Sequence, residues 1–166
     1  ASPTYVRVYN KSGKLISLND GECLTANDAE NATSYTSGAY VARYASGTLY
    51  LKDYEGVATN GKIFALGDLN IKVESDSSFT TSVSTTSDDL YGIQADSGKL
   101  NIFGPGKLTV TANGKSDVYG IYADEGVTIS APLDVKVGKN SATENRPVYG
   151  IYTRSGEISL SGNDMA

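Results

Sequence analysis

The residues with the plainest chemical potential are aspartates held in register. Asp89 and Asp117 each stand two residues before a tyrosine, and Asp96 and Asp124 each stand two residues before a glycine. Carboxylates that recur at one phase can do three things. A pair can share acid and base work in glycoside hydrolysis. Several oxygens can gather calcium. A single carboxylate can cap a turn by accepting a backbone N–H. In the following repeat the two phases hold Pro147 and Arg154, so neither series continues. Calcium at Asp89 and Asp117 therefore stands beside plain turn capping, and no other cofactor is expected. The chain has no His, which removes the usual general base and the usual zinc ligand. Serine triads in their ordinary form are excluded with it. The expectation is a protein that is not an enzyme.

Tyrosine supplies the second chemistry. There are 12 Tyr against 3 Phe and no Trp. Tyr122 and Tyr152 share a phase, three residues after Tyr119 and Tyr149, and Gln94 holds that phase one repeat earlier. If Ile121 and Ile151 point inward, Tyr122 and Tyr152 point outward. An exposed tyrosine suits sugar, because the ring packs on C–H faces while the hydroxyl bonds. A tyrosine ladder can equally do no more than hold a sheet together. Tyr122, Tyr152, Gln94, Asp96 and Asp124 form the candidate ligand-binding set.

The elements that must position these residues repeat. Tyr-Gly-Ile occurs at Tyr91, Tyr119 and Tyr149, at intervals of 28 and then 30 residues. A period of this size marks a solenoid. A glycine recurs as Gly47, Gly67, Gly98, Gly126 and Gly156. After each comes an alternating apolar pair: Leu49/Leu51, Leu69/Ile71, Leu100/Ile102, Val127/Ile129 and Ile158/Leu160. A third short strand follows Pro105 and Pro132, with Leu108/Val110 matching Val135/Val137. The coil reads strand, turn, strand, turn, strand, polar link. The predicted fold is all-β: a single-stranded right-handed parallel β-helix of about five coils of about 28–31 residues.

Residues 1–39 are expected to form a capping segment or irregular first coil, and 40–166 the β-helix coils, in one domain. Tyr5–Tyr9 and Leu15–Leu18 read as a hairpin around Ser12-Gly13, Ala26–Ala32 as a short helical turn, and Tyr40-Val41-Ala42 as a degenerate Tyr-Gly-Ile strand. The tyrosine of each Tyr-Gly-Ile is expected to face inward or into a corner, two residues before an inward Ile, with glycine leaving bare backbone outside. The polar links Glu74–Asp88, Thr111–Asp117 and Gly138–Pro147 leave the coil at one phase, where solenoids often place a binding face.

The net charge is −5 and the lysines are scattered, so a nucleic-acid partner is not expected. No run of about 18 apolar residues exists, so no membrane span is expected. Cys23 is the single cysteine and reads as a small buried hydrophobe. The start at Ala1 is compatible with a processed secretory protein. Ile158-Ser159-Leu160 is a good core strand close to the end of the sequence, which invites end-to-end self-association.

At Tyr-Gly-Ile-Tyr-Ala-x-x-Gly, followed by Leu-x-Ile and Leu-x-Val, the sequence resembles extracellular β-helix repeats of gut and soil Firmicutes. The stretch runs from about Ala65 to Ser161. Several such families are described as carbohydrate-binding domains, and one looks like an acidic-polysaccharide-binding β-helix with bound calcium. The resemblance implies a secreted or cell-surface location and a bacterial source. The expected function is a non-catalytic binding module for polysaccharide or cell-surface glycan. Two alternatives stand beside it: a structural or adhesive solenoid segment of a larger surface protein, and a small polysaccharide lyase or hydrolase.

Overall fold

The apolar pairs stack as their alternation requires. A computed structural model describes residues 1–83, 88–140 and 145–162. Its first five strands are β1 (Tyr5–Tyr9), β2 (Leu15–Asn19), β3 (Glu22–Leu24), β4 (Thr33–Ser34) and β5 (Ala42–Ala45). Thirteen more follow: β6 (Thr48–Leu51), β7 (Glu55–Thr59), β8 (Ile63–Leu66), β9 (Leu69–Val73), β10 (Ser77–Ser82), β11 (Leu90–Asp96), β12 (Leu100–Phe103), β13 (Leu108–Gly114), β14 (Val118–Ala123), β15 (Val127–Ile129), β16 (Leu133–Lys139), β17 (Val148–Thr153) and β18 (Ile158–Leu160). From β6 onward the strands visit three sheets in rotation and pair in parallel with the strand three places on. The result is a β-solenoid of about three turns with no helix among the described residues.

The three sheets run β2-β1-β8-β11-β14-β17, β7-β10-β13-β16, and β4-β3-β5-β6-β9-β12-β15-β18. We call them the tyrosine, threonine and asparagine sheets after their outward residues. Inward residues form one column per position: Leu69, Leu100, Val127 and Ile158 are successive partners, as are Ile71, Ile102, Ile129 and Leu160. The sidedness agrees with the sequence, but two registers differ from it. Leu49 pairs with Ile71 rather than Leu69, and Val110 pairs with Val135 rather than Val137. A slip of two residues keeps every side chain on its face, so a period-2 pattern cannot report it. Corner glycines Gly47, Gly67, Gly126 and Gly156 have positive φ. At the fifth corner Ser97 takes φ 62°, and Gly98 is needed because a Cβ there would lie 2.2 Å from the Gly67 carbonyl carbon.

The difference in coil number arises at the start. β1 and β2 form an antiparallel hairpin, and β3, β4 and β5 pair antiparallel ahead of β6. Tyr40-Val41-Ala42 thus leads into a cap strand of the asparagine sheet and is no copy of the Tyr-Gly-Ile strand. Ala26–Ala32 forms a turn closed by the Ala29 N–H donating to the Ala26 carbonyl (3.1 Å), not a helical turn. Antiparallel strands give the parallel stack a terminating edge.

One buried tyrosine ties cap to body. The Tyr54 hydroxyl donates to the Tyr9 carbonyl (2.6 Å) and accepts the Tyr9 N–H (3.2 Å). Tyr54 is fully buried, and burial pushes its phenol far above the usual range. Tyr54→Phe would strand both Tyr9 groups, which should lower stability by about 1–3 kcal/mol. Urea unfolding monitored by circular dichroism measures it. A loss under about 0.5 kcal/mol would mean the cap is held by other contacts.

Candidate binding face

The Tyr-Gly-Ile strand breaks the alternation. In β11, Leu90 is buried and Tyr91 half-buried, then Gly92 and Ile93 are both buried, and Gln94 is half-buried again. β14 repeats the pattern. Two consecutive residues turn inward, so the tyrosine before and the residue after both turn outward. Glycine makes this feasible. A Cβ at Gly92 would lie 2.5 Å from the Gly120 carbonyl oxygen and 2.6 Å from Val110 Cγ1. The expectation that Tyr91, Tyr119 and Tyr149 face inward with bare glycine backbone outside is therefore overturned.

Two ladders consequently share the outer face of the tyrosine sheet. In one, Tyr91, Tyr119 and Tyr149 stack at ring-centre distances of 5.0 and 5.1 Å. In the other, Tyr122 and Tyr152 stack at 5.4 Å, with Gln94 as the cross-strand partner of Tyr122 and Phe64 as that of Gln94. The ladders interlock edge to face: Tyr122 meets Tyr91 and Tyr119 at 80° and 82°. Tyr152 meets Tyr119 at 70°. Five tyrosines thus make one continuous ridged aromatic surface. Burial raises the phenol of Tyr91, and raises those of Tyr119 and Tyr122 to about 12, with Asp117 adding at Tyr119 and Asp124 at Tyr122. All three stay neutral hydrogen-bond donors throughout the physiological range.

Acids line both margins. On one side the Tyr122 hydroxyl donates to Asp124 Oδ1 (3.0 Å), and the Ser97 N–H donates to Asp124 Oδ2 (2.6 Å). Asp124 thus caps a turn, though across coils rather than within its own. Asp20, Asp68 and Asp76 likewise accept the N–H of Ser46, Lys99 and Lys107 from neighbouring turns. Asp96 sits in the same margin, where its Oδ1 accepts from Ser97 Oγ (3.4 Å). On the other side, the Asp117 carboxylate accepts from Arg146 Nε (2.8 Å). Asp89 lies near enough to raise Tyr91 and Tyr119 by its charge. No group of three or more metal-ligating side chains occurs among the described residues, so Asp89 and Asp117 gain no further side-chain ligands here.

Burial disfavours the charged form of Asp124. The hydrogen bonds from the Ser97 N–H and the Tyr122 hydroxyl and the charge of Arg154 outweigh it and hold the carboxyl below its ordinary range. A depressed carboxyl adds stability above its unfolded pKa, near 3.9, and loses it as pH falls through the folded value. Asp124→Asn should therefore melt below the wild type at neutral pH, and the gap should close as pH drops from about 5 to about 2. A gap independent of pH would contradict this.

Tyr122, Tyr152, Gln94, Asp96 and Asp124 are thus brought onto one face and its margin. Reading from sequence misses Tyr91, Tyr119 and Tyr149, which join them only because of the double inward turn. It also misses Arg7 and Lys62, both over the Phe64 ring, with Lys62 over Tyr91 as well. Burial among the rings pulls the Lys62 ammonium below the usual lysine range; Asp96 opposes the shift and Arg7 adds to it. The expected polar links emerge partly as strand: β10 occupies much of Glu74–Asp88, while residues 84–87 and 141–144 lie outside the described residues.

Fold and face together define a class: a short β-solenoid with an antiparallel cap and one aromatic outer sheet. Comparisons with protein-family models, curated proteins and solved structures find no match to this chain. No helix among the described residues is long and apolar enough to cross a membrane.

Proposed function

We propose that the protein is a non-catalytic binding module for polysaccharide, working in the secreted state or at a bacterial cell surface, with the outer face of the tyrosine sheet as its contact surface. The observation that carries this reading is the interlocked five-tyrosine surface, with ring centres recurring at 5.0–5.4 Å along the rod. Apolar ring edges suit the C–H surfaces of sugars, and neutral hydroxyls beside carboxylates suit their hydroxyl groups. A regular surface along a rod suits a linear polymer. The resemblance of Tyr-Gly-Ile-Tyr-Ala-x-x-Gly to carbohydrate-binding repeats points the same way. Affinity electrophoresis in gels cast with neutral and acidic polysaccharides, each with and without calcium, tests the reading. Retardation by at least one polymer is expected; free migration in all of them would refute it.

A second reading, a structural or adhesive solenoid segment of a larger surface protein, is favoured by the apolar edge of the last described strand. Ile158 and Leu160 are 44% and 49% exposed, whereas their stack partners Val127 and Ile129 are 1% and 3% exposed. The cap closes the other end with antiparallel strands, so a second copy would meet this one end to end through β16, β17 and β18. Light scattering should then show concentration-dependent dimers that Leu160→Lys abolishes. A wild-type monomer at all concentrations would exclude stacking of copies and leave further coils of a longer chain as what covers β18.

A further inference from the structure

One pair of tyrosines on the outer face has a geometry that sugar contact does not need. Tyr122 and Tyr152 are register partners on β14 and β17, with ring centres 5.4 Å apart and planes 12° from parallel. Identical side chains in parallel register stack atom over equivalent atom, so the carbons ortho to the two hydroxyls face each other. The Tyr122 hydroxyl donates to Asp124 Oδ1 at 3.0 Å, and among the described residues it is the one ladder tyrosine that donates to a carboxylate. Oxidation of a phenol releases a proton with the electron, and a carboxylate at hydrogen-bond distance gives that proton a place to go. β17 is the last described strand of the tyrosine sheet. Tyr152 therefore has a stacked neighbour on one side only among the described residues, which leaves its ring room to swing from stacking into bonding contact. Tyr119, by contrast, is held by four rings. The chain has a single cysteine, so no intrachain disulfide can tie one coil to the next.

We propose that Tyr122 and Tyr152 form an oxidative modification site, where a diffusible one-electron oxidant joins β14 to β17 through a dityrosine bond. One oxidising equivalent takes an electron from Tyr122 while its hydroxyl proton passes to Asp124 and on to water. A second equivalent takes an electron from Tyr152, whose proton goes to water. The two tyrosyl radicals pair their unpaired electrons in a C–C bond between ortho carbons. The hydrogen on each of those carbons then moves to the oxygen of its own ring. The net change is the loss of two electrons to the oxidant and two protons to water. The product staples successive coils of the rod, as a disulfide would, by constraining the unfolded chain. The site stands on ring geometry and proton transfer, independently of whether the face holds polysaccharide.

The test oxidises the full chain, dilute and folded, with a ruthenium(III) tris-bipyridine complex generated by light and persulfate. Expected is a monomer lighter by two hydrogen atoms that shows dityrosine fluorescence. Trypsin cuts at Lys136 and Lys139, between the two tyrosines, so the link appears in the mass spectrum as two joined peptides, and fragmentation places it at Tyr122 and Tyr152. Tyr122→Phe keeps the ring and its packing and should abolish the joined peptide. Asp124→Asn, oxidised at a temperature where circular dichroism shows it folded, should lower the yield several-fold. Asp117→Asn, on the other margin, should leave it unchanged. The linked monomer should melt above the unlinked one. A joined peptide that survives Tyr122→Phe, or equal yields from Asp124→Asn and the wild type, would overturn the site. The same yield from chain unfolded in urea would overturn it too, as would coupling between chains in place of coupling within one. A linked monomer that melts no higher would sink the staple.

Discussion

Gly120→Ala is expected to lower stability by about 2–3 kcal/mol, while Gly150→Ala, the same change in the same motif one coil later, is expected to be neutral or slightly stabilising. At Gly120 a Cβ would lie 2.4 Å from Val135 Cγ1 and 2.7 Å from the Gly150 carbonyl oxygen. One of those neighbours is backbone and cannot rotate away, so the coil above must lift or the strand must flatten. Forcing extra volume into a packed core costs typically about 1–3 kcal/mol. At Gly150 nothing stands within 4 Å, and alanine there loses less chain entropy on folding. Gly92→Ala should resemble Gly120→Ala, since its Cβ would meet the Gly120 carbonyl oxygen and Val110 at 2.5 and 2.6 Å. Urea midpoints for the three variants decide the matter. Equal effects at Gly120 and Gly150 would mean the glycines serve local backbone conformation and not the approach of successive coils.

The second large effect concerns binding. Tyr119 is the hub of the aromatic face, touching Tyr91, Tyr122, Tyr149 and Tyr152. Removing the rings of Tyr119 and Tyr122 together opens a gap in the middle of both ladders. With roughly 1–1.5 kcal/mol lost per ring, affinity for the retained polysaccharide should fall about thirtyfold to about 140-fold. Some stability goes too, because each edge-to-face pair contributes about 0.5–1.5 kcal/mol. Two further variants separate the effects. Tyr119→Phe with Tyr122→Phe keeps the rings and should cost only a few-fold in affinity. Thr80→Ala with Thr111→Ala, in neighbouring strands of the threonine sheet, should leave binding unchanged. Isothermal titration at a temperature where all variants are folded measures this. Binding that survives loss of both rings would place the contact surface elsewhere.

Much of the scaffold was legible because inward residues of a strand must be apolar and alternate. The Gly47, Gly67, Gly98, Gly126 and Gly156 series marks one corner, and the apolar pairs after it line one sheet. Register was not legible, since a shift of two residues leaves Leu49 facing inward whether it meets Leu69 or Ile71. Nor was the cap direction: β5, four residues long, looks the same parallel or antiparallel. The candidate site was half legible. Strict alternation from Ile121 puts Tyr122 outside, as found, but puts Tyr119 inside. Only the packing of Gly120 against the next coil reverses that. Arg7 carries no mark in the sequence; its company with Phe64 is made by β1 lying along β8.

The most direct test of the central claim is to watch the rings. With tyrosine rings isotopically labelled and assigned, the polysaccharide retained in the gels is titrated in and the ring 1H–13C signals followed. The account predicts that Tyr91, Tyr119, Tyr122, Tyr149 and Tyr152 shift together and saturate at one common affinity, while Tyr54, buried beneath the cap, stays still. Saturable binding in which these five rings do not move would contradict it.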